Sequence, residues 1–381
     1  MIILHLSHTD ILKDIRILRE LEALKAFFQS RSNIVAIGIA SNSGPPPASQ
    51  PNGVSIKSIN IPFSHMKIFA GTPKHVLTFI TLFFSMMYLG IKHKPRIIHC
   101  HDAMILPIGV VLKLILGCKL VYDAHELESD RNGISKFTSY YVRSMEKLSW
   151  KQIDLLISVS PSIISWYETQ YGQKINRLVL NSPDFKNRSA KKDAKTLRKL
   201  FSIPCPMSIF LYVGAIGKGR GIELLLDCFS DKRVNGHVIF IGWGELLGLV
   251  HQYEKEYKNI HSHMAVSHRE LGELMIGADF GLCLIENVSL SDYFCIPNKL
   301  LEYALSGLFV LGSDFPEISS VINKYEIGQT ASLNKKAIMK AIVELESKKK
   351  HKKPRDLSPL TWQSQAKNLV CGYNELLMSS T

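Results

Sequence analysis

The sequence has 381 residues, 46% of them hydrophobic and 21% charged, which excludes a disordered or fibrous chain. At about 150 residues per domain, this length predicts two or three domains. The net charge of +13 favours anionic partners such as phosphate groups or a membrane surface, but its even spread, without an aromatic-basic RNA motif, argues against nucleic acid. Seven dispersed cysteines without a Cys-x-x-Cys pair predict reduced thiols and a cytoplasmic protein.

The first half of the chain alternates short apolar runs with helical patterns. The runs predict strands over 2–6, 34–39, 97–100, 119–122 and 155–159, and the patterns predict helices over 11–28 and 103–116. Because helix-sized segments separate the strands, we expect a parallel sheet of βαβ units. The N-terminal segment lacks the basic start of a signal peptide and is expected to form the first buried strand.

Residues 76–91 are almost entirely apolar and are flanked by lysine, histidine and arginine. They are fewer than the roughly 20 residues that a helix needs to span a bilayer. The pattern fits either a buried helix of the first domain or a helix lying in the membrane surface, held by the flanking cations. A membrane span is disfavoured because it would separate the first strand from the rest of its sheet.

A second α/β unit follows a polar, basic segment. Strands are predicted over 208–213, 237–241, 280–285 and 309–312, and helices over 222–229, 268–276 and 297–306. We therefore predict one Rossmann-like domain over 1–187, a linker over 188–206, a second Rossmann-like domain over 207–358 and an amphipathic C-terminal helix within 359–381. The lysine-rich run 348–353 is expected to be solvated. Ligands of open α/β sheets bind at the carboxyl ends of the strands, so two such units predict a ligand cleft.

The turn after the predicted strand 208–213 is rich in glycine and positive charge. It runs GAIGKGRG over 214–221 and carries Lys218 and Arg220. Glycines let the backbone approach a ligand closely, and the N–H groups at the start of the next helix favour an anion. The turn matches neither a Walker loop nor a dinucleotide fingerprint, so it predicts another kind of phosphate site, with a flexible solvated turn as the alternative.

A later helix is predicted to begin with Pro297, Asn298 and Lys299, since proline suits the first turn. Its free N–H groups could hold a diphosphate. Glu302 follows about one turn later. Its carboxylate could accept hydrogen bonds from two ribose hydroxyls, or it could be an ordinary surface residue.

The motifs of the chain, taken in order, resemble the family 4 retaining glycosyltransferases of the GT-B fold, of the type that builds bacterial surface polysaccharides. The matching segments are HCHD at 99–102, YDAHE at 122–126, SVS at 158–160, NSP at 181–183, the glycine-rich turn at 214–221 and PNKLLEY at 297–303. The resemblance implies an α/β protein of two Rossmann-like, doubly wound domains facing across a cleft, with the C-terminal helix crossing back to the first domain. The first domain would take the acceptor and the second the nucleotide-sugar.

The resemblance also implies a reaction, the transfer of a sugar from a nucleoside diphosphate to an acceptor hydroxyl with retention, in lipopolysaccharide, capsule or exopolysaccharide assembly. It gives catalytic roles to His125 and Glu302, with Glu302 also binding the ribose. It gives the binding of the donor diphosphate to Gly214, Lys218, Arg220, Pro297, Asn298 and Lys299.

One position departs from the family pattern. The family carries a pair of glutamates at a fixed interval, and in this sequence the second falls on Glu302 whereas the first falls on Phe294. Phenylalanine cannot act as a carboxylate, so Asp292 or Glu286 could take over that role. The departure also allows a non-catalytic relative that only binds a nucleotide-sugar.

Further candidates follow the predicted strand ends of the first domain, on the side expected to face the acceptor. They are Ser7, His8, Asp10, His101, Asp102 and Glu126. Asp10 and Asp102 could instead cap the helices that follow them.

The implied chemistry limits the expected partners. Cations and helix dipoles can stabilise the leaving diphosphate, and no DxD motif is present, so we expect no metal and no cofactor, with a UDP-sugar favoured over a GDP-sugar. The expected acceptor is a saccharide or a lipid-linked saccharide, with an anionic membrane surface as a further partner and a peripheral location at the inner face of the plasma membrane. A sugar-nucleotide epimerase of the same fold is the alternative enzyme.

Overall fold

The computed structural model describes residues 1–40, 50–60, 72–184, 196–347 and 355–378. The chain forms two compact units, one of Met1–Val179 with Gln365–Thr381 and one of Leu180–Ser364. The predicted linker 188–206 lies partly outside the described residues, and the basic run 348–353 lies wholly outside them.

The first unit is built on a seven-stranded parallel sheet. Its strands are β1 (Ile2–Ser7), β2 (Asn33–Ile39), β3 (Val54–Ile59), β4 (Ile97–His101), β5 (Lys119–Ala124), β6 (Leu155–Ser158) and β7 (Ile175–Leu178), in the order β3-β2-β1-β4-β5-β6-β7. Its helices are α1 (Ile15–Phe28), α2 (Thr72–His93), α3 (Leu106–Leu116), α4 (Lys136–Ser149) and α5 (Pro161–Tyr171). All five strands predicted for this half are present, and the additional β3 and β7 are the two edges of the sheet.

The central strands of this sheet bring polar residues together at their carboxyl ends. His5 of β1 pairs with His99 of β4, and two residues further on Ser7 pairs with His101, which in turn pairs with Asp123 of β5. Because side chains alternate between the two faces of a strand, His5, His99, His101 and Asp123 share one face. The sheet register, rather than any local sequence motif, assembles this cluster.

The second unit holds a six-stranded parallel sheet. Its strands are β8 (Ile209–Ala215), β9 (His237–Trp243), β10 (Ile260–Met264), β11 (Phe280–Cys283), β12 (Phe309–Ser313) and β13 (Gly328–Ala331), in the order β10-β9-β8-β11-β12-β13. Its helices are α6 (Thr196–Leu200), α7 (Ile222–Phe229), α8 (Leu247–Glu256), α9 (His268–Met275), α10 (Leu290–Tyr293), α11 (Asn298–Ser306), α12 (Pro316–Tyr325) and α13 (Lys335–Ser347). The apolar residues of β8, an interior strand, are buried. The glycine-rich turn follows the end of β8 and therefore lies at the carboxyl edge of the sheet.

The last helix, α14 (Trp362–Met378), crosses back to the first unit from Gln365 onward, as the family resemblance implies. Tyr373 reaches into the polar cluster, where its hydroxyl lies 2.7 Å from His99 Nδ1. Glu375 pairs with Arg177, and the Asn368 amide donates to the Leu178 carbonyl at 3.3 Å. The C-terminal helix is therefore a structural part of the first unit.

The two predicted helix caps have different outcomes. Asp10 does cap the 3-10 helix that follows it, accepting a hydrogen bond from the Leu12 amide at 3.2 Å. Asp102 does not cap α3, whose N-cap is Ile105, so that interpretation is wrong. Asp102 instead takes a left-handed backbone conformation, with φ of 67°, and its side chain points to His125.

The apolar segment 76–91 forms the greater part of α2, which is half-buried rather than fully buried. Leu82 and Met86 face the core, whereas Phe84 and Tyr88 are exposed. None of the described helices combines the length and the apolarity required to cross a bilayer.

Candidate functional site

Three histidines form a buried stack beneath the carboxyl edge of the first sheet. The ring centroids of His5 and His99 are 4.5 Å apart, and those of His99 and His101 are 4.3 Å apart. Burial lowers the pKa of all three, that of His99 to about 3. These rings are therefore neutral, and they contribute hydrogen bonds and packing to the cluster but no charge.

A buried ion pair between Arg16 and Asp123 anchors this stack. Arg16 Nη2 donates to Asp123 Oδ1 at 2.9 Å, and its Nη1 donates to the Val179 carbonyl at 2.9 Å. Burial alone would raise the pKa of Asp123, but Arg16 and the neighbouring His125 outweigh burial and hold that pKa well below its usual value. Asp123 is thus a permanent anion inside the unit.

His125 lies at the edge of this network, between two carboxylates. Its Nε2 lies 3.0 Å from Asp123 Oδ2, and its Nδ1 lies 3.5 Å from Asp102 Oδ1. Burial would lower the pKa of His125, yet Asp102 and Asp123 outweigh burial and raise it to about 10. The side chain is an imidazolium at neutral pH. It is also the partly exposed member of the cluster, so it can meet a ligand.

Two further buried carboxyl groups have raised pKa values. Burial, reinforced by Asp123, raises the pKa of Glu20 well above its usual value. Burial, reinforced by Asp102, does the same for Glu128, which also hydrogen-bonds Asp102. Asp123 pairs with Arg16 and His125, and His125 also lies beside Asp102, so opposite charges offset one another where these polar groups are buried together.

The acceptor-side candidates take several positions at this edge. His8 lies 3.9 Å from Asp102, and Glu126 is partly exposed beside Arg131 at 3.5 Å. Ser7 is buried, with its hydroxyl 2.7 Å from that of Thr9. His101 is also buried and lies behind His125, 3.2 Å from its Nε2, so it positions that ring rather than lining the surface.

The spacing of some cluster atoms would suit a metal ion. The groups are His5 with His99 and His101, and Glu20 with His99, His101 and Asp123. Arg16 already neutralises Asp123, and the three imidazole rings are stacked on one another. The described contacts thus account for the cluster as an ion-pair network, and the absence of a metal stays a prediction.

Replacing Arg16 by methionine should destabilise the first unit by about 3 to 5 kcal/mol, because it removes one of the two cations that pair with the buried Asp123 and leaves only His125. Urea unfolding followed by circular dichroism measures the change. Arg143→Met is the matched control, since its ion pair with Asp130 at 3.3 Å is exposed and should contribute less than about 1 kcal/mol. Equal losses in the two variants would contradict the assigned role of Arg16.

In the second unit, the glycine-rich turn connects β8 to α7 through backbone conformations that favour glycine. Gly214, Gly219 and Gly221 have φ values of 117°, 79° and 68°. Gly221 is the N-cap of α7 and offers no side chain to its free amides. Its own N–H donates to Glu286 Oε1 at 3.1 Å, so the loop after β11 holds the turn in place. The helix start remains available to an anion.

Arg220 is oriented by a carboxylate from α10. Its Nη1 donates to Asp292 Oδ1 at 2.9 Å, and Asp292 also accepts from the Ser289 hydroxyl at 2.9 Å. Asp292 and Glu286, the candidates to replace the family's first glutamate, therefore both contact the glycine-rich turn. Phe294 ends α10 and packs beside Tyr293.

Lys299 supplies an ammonium group with an unusual environment. Its Nζ is buried, no hydrogen-bond acceptor in the described part of the chain reaches it, and it lies 3.8 Å from the centre of the Tyr212 ring. It also lies beside Gly214, 3.9 Å from where a Cβ would stand. Burial, reinforced by the positive charge of Arg220, lowers the pKa of Lys299 to about 8. A bound anion would relieve both effects.

The remaining predicted donor residues take different positions in the second unit. Pro297 is the N-cap of α11 without a side-chain hydrogen bond, and Asn298 is exposed in its first turn. Glu302 is partly buried one turn later, close enough to act on the charge of Lys299. Lys218 is exposed, and its backbone N–H donates to Glu245 at 3.2 Å. Lys299, Arg220 and Glu302 are thus neighbours, whereas Lys218 lies at the rim.

Known proteins resemble this chain in sequence and in fold. Residues 35–180 match the model of Glycosyltransferase Family 4. An uncharacterized glycosyltransferase of Methanocaldococcus jannaschii is 26% identical over 208 residues, covering 51% of each chain, so the present chain spans about half the length of this curated relative. Sucrose-phosphate synthase of Thermosynechococcus elongatus superimposes with a TM-score of 0.76, at 16% identity and 99% coverage of both chains.

A second solved structure, HepE of Anabaena in complex with UDP, superimposes over 100% of both chains with a TM-score of 0.66 and 12% identity. The two parallel sheets, of seven and six strands, agree with these neighbours. The chain has the GT-B fold. The fold class predicted from the ordered motifs is confirmed.

Several residues of the site lie outside the predicted set. They are Arg16, Glu20, Asp123, Glu128, His5, His99 and Tyr373. The sequence held one signal for such a cluster, because His5, His99, His101 and Asp123 lie within strands that are otherwise mostly apolar. Polar residues rarely occupy the core face of a buried strand.

Proposed function

We propose that this chain is a glycosyltransferase that moves a sugar from a nucleoside-diphosphate sugar to an acceptor hydroxyl with retention of configuration. The observation that carries the proposal is the buried Lys299 ammonium, which has no acceptor in the described part of the chain and lies beside Gly214 and Arg220. Two neighbouring cations at a glycine-rich turn and a helix start form a site suited to a diphosphate. The GT-B fold and the family 4 match of residues 35–180 support the same reaction.

On the donor side, Lys299 and Arg220 would bind the diphosphate and stabilise the negative charge that grows on it as the glycosidic bond breaks. The free amides at the start of α11 would add a helix dipole to this charge. Glu302 would accept hydrogen bonds from the ribose hydroxyls. The UDP bound by Anabaena HepE supports a uridine nucleotide, so a UDP-sugar is favoured over a GDP-sugar.

In the first unit, His125 would act as a charged hydrogen-bond donor rather than as a general base. Its pKa of about 10 keeps both ring nitrogens protonated at neutral pH. Nε2 is bound by Asp123, whereas the Asp102 oxygen near Nδ1 has no hydrogen-bond partner among the described residues, so the Nδ1–H can turn to a ligand hydroxyl or phosphate oxygen. Asp102 and Asp123 position this donor and preserve its charge.

The ordered motifs resemble transferases of bacterial surface polysaccharides, and this supports a role in lipopolysaccharide, capsule or exopolysaccharide assembly. The acceptor would be a saccharide or a lipid-linked saccharide, and the reaction would take place in the cytoplasm at the inner face of the plasma membrane.

A thermal-shift panel of UDP-, GDP- and ADP-sugars tests the donor assignment. We expect UDP-sugars to stabilise the protein most, since ligand at 100 times its Kd adds about 2.7 kcal/mol. Arg220→Ala and Glu302→Ala should abolish or strongly reduce the shift, whereas the exposed Lys232→Ala should retain it. Incubation with the donor alone distinguishes a glycosyltransferase from a sugar-nucleotide epimerase, because the epimerase would convert the sugar without an acceptor. Either conversion without acceptor or an unchanged shift in both site variants would refute the proposal.

A further inference from the structure

Three neighbouring helices of the first unit expose an apolar outer surface, here named the α2–α4 face. Helix α3 packs on β4 and β5, with α2 and α4 also in contact with it. More than half of the large hydrophobic side chains that are exposed in the described part of the chain belong to these three helices. Exposed apolar residues gathered on adjacent elements mark an interaction surface.

Helix α2 contributes a continuous stripe to this face. Ile80, Phe84, Tyr88 and Ile91 follow one another at three- and four-residue intervals, so they lie on one side of the helix. Phe84 is 68% exposed, whereas Leu82 and Met86 on the opposite side are buried against the unit. The core thus uses one side of α2 and leaves an equally apolar side uncovered.

Helices α3 and α4 extend the surface. The last full turn of α3 exposes Leu114 and Ile115. Helix α4 exposes Phe137, Tyr140 and Leu148, and Phe137 is the most exposed of them, at 82%. A large aromatic residue at the start of a helix, with most of its ring in water, contributes nothing to the core of the unit.

Cations outnumber carboxylates around this face, where Asp130 pairs with Arg143 and Asp154 pairs with Lys113. The sequences of α2 and α3 contain no aspartate or glutamate, and the one carboxylate of α4, Glu146, is buried and accepts hydrogen bonds from Tyr122 and Tyr167. The exposed charged side chains of the helices and the segments that follow them are cations, including Lys92, Lys94, Lys136, Lys147 and Lys151. An apolar face surrounded by cations is complementary to a surface that is apolar within and anionic at its boundary.

We propose that the α2–α4 face docks the protein onto an anionic lipid bilayer, with Phe84 and Phe137 entering the acyl boundary and the lysines contacting the headgroups. Aromatic and aliphatic side chains on the apolar face with lysines around it are the pattern of helices that lie in the membrane surface. A second copy of this chain fits poorly, because a twofold contact would bring the two sets of lysines together. The inference needs no turnover and so goes beyond the proposed reaction.

The face lies close to the His125 site. The Ser139 hydroxyl of α4 donates to the Ser129 carbonyl at 2.5 Å, and Ser129 follows Glu128, which hydrogen-bonds Asp102. Docking would therefore bring the edge of the first sheet near the headgroups. That the acceptor is lipid-linked rests on the proposed function, whereas the docking itself does not.

Sedimentation with unilamellar vesicles tests the proposal. The intact chain should bind vesicles of phosphatidylcholine with phosphatidylglycerol at least about tenfold more tightly than vesicles of phosphatidylcholine alone, at low salt. Joint replacement Phe84→Ser and Phe137→Ser should weaken binding to the anionic vesicles at least about tenfold. The control pair Trp243→Ser and Met264→Ser, which are 69% and 77% exposed in the second unit, should bind as the original chain does.

A second pair of variants tests the charge. Lys136→Glu with Lys147→Glu should weaken binding to anionic vesicles, whereas Lys232→Glu with Lys324→Glu changes the net charge equally but lies in the second unit and should have a smaller effect. Failure of the intact chain to bind anionic vesicles, or equal losses in the test and control variants, would overturn the proposal.

Light scattering measures the oligomeric state and so tests whether a second copy of this chain, rather than a membrane, covers the face. A dimer that dissociates in the Phe84→Ser, Phe137→Ser variant, together with no vesicle binding, would assign the face to a second copy and refute docking on lipid. None of these outcomes bears on sugar transfer, which the donor panel tests separately.

Discussion

Replacing Lys299 by methionine should weaken the binding of UDP roughly 100-fold, equivalent to about 3 kcal/mol. Its ammonium lies within reach of Gly214 and Tyr212 but has no acceptor among the described side chains, so a diphosphate would supply the missing partner. Methionine keeps an unbranched apolar stem against the Tyr212 ring and removes only the charge. Isothermal titration at pH 7 and constant salt measures the change.

The chain offers a matched control for this substitution. Lys324 also places its ammonium over a tyrosine ring, 5.3 Å from the centre of Tyr325, but it is exposed and lies on α12. Lys324→Met should leave the affinity for UDP unchanged. If Lys299→Met binds UDP as the original chain does, the diphosphate is held elsewhere and the donor site assigned above is wrong.

Replacing His125 by glutamine should lower kcat for sugar transfer by roughly 100-fold or more, while the Kd of UDP stays unchanged. A fixed donor aimed at developing charge typically contributes a factor of this size. Glutamine retains an N–H donor but not the positive charge that Asp102 and Asp123 maintain. The nucleotide contacts that we propose belong to the second unit, so binding and turnover should separate. His251→Gln, on the exposed side of α8, is the control.

The pH dependence follows from the same charge. Because the pKa of His125 is raised to about 10, the imidazolium persists throughout the neutral range and is lost only as the pH rises through 10. The contribution of His125 to the rate should therefore be constant between about pH 6 and 9. Asp102→Asn removes one of the two raising carboxylates and should move the decline to lower pH. A His125 titration near 6.5 in the unaltered protein, followed by NMR of its ring, would contradict this assignment.

The strands that sequence patterns predicted are the interior strands of both sheets. Those that were missed, β3, β7, β10 and β13, are the four edges. Interior strands of a parallel sheet are buried on both faces and appear as apolar runs, whereas edge strands such as β7 and β13 are only partly buried throughout and carry polar residues. The signal used for prediction is therefore absent where the sheet ends.

The cluster around His125 could be predicted only in part. Asp102 follows a strand end, and this position in an α/β fold selected it, whereas His125 was selected through the family resemblance together with its place after a strand. Arg16 and Asp123 are 107 residues apart and meet through the pairing of β1, β4 and β5, which no local pattern specifies. The role of Glu128 could not be predicted, because its contact with Asp102 depends on the side chain of Asp102 pointing to the cluster instead of capping α3.

More of the donor site than of the His125 cluster could be predicted from the sequence. Its backbone elements, a glycine-rich turn and a helix beginning after Pro297, are local features and were located from the sequence. The burial of the Lys299 ammonium and the hydrogen bond from Arg220 to Asp292 depend on packing between α10, α11 and β8. Neither could be predicted without the structure.

A crystal structure of the protein with bound UDP would show whether the side chains of Lys299, Arg220 and Glu302 hold the donor. We expect the diphosphate within hydrogen-bond distance of Lys299 Nζ and the Arg220 guanidinium, over the glycine-rich turn, and the ribose hydroxyls on the Glu302 carboxylate. UDP bound away from these three side chains would contradict this assignment.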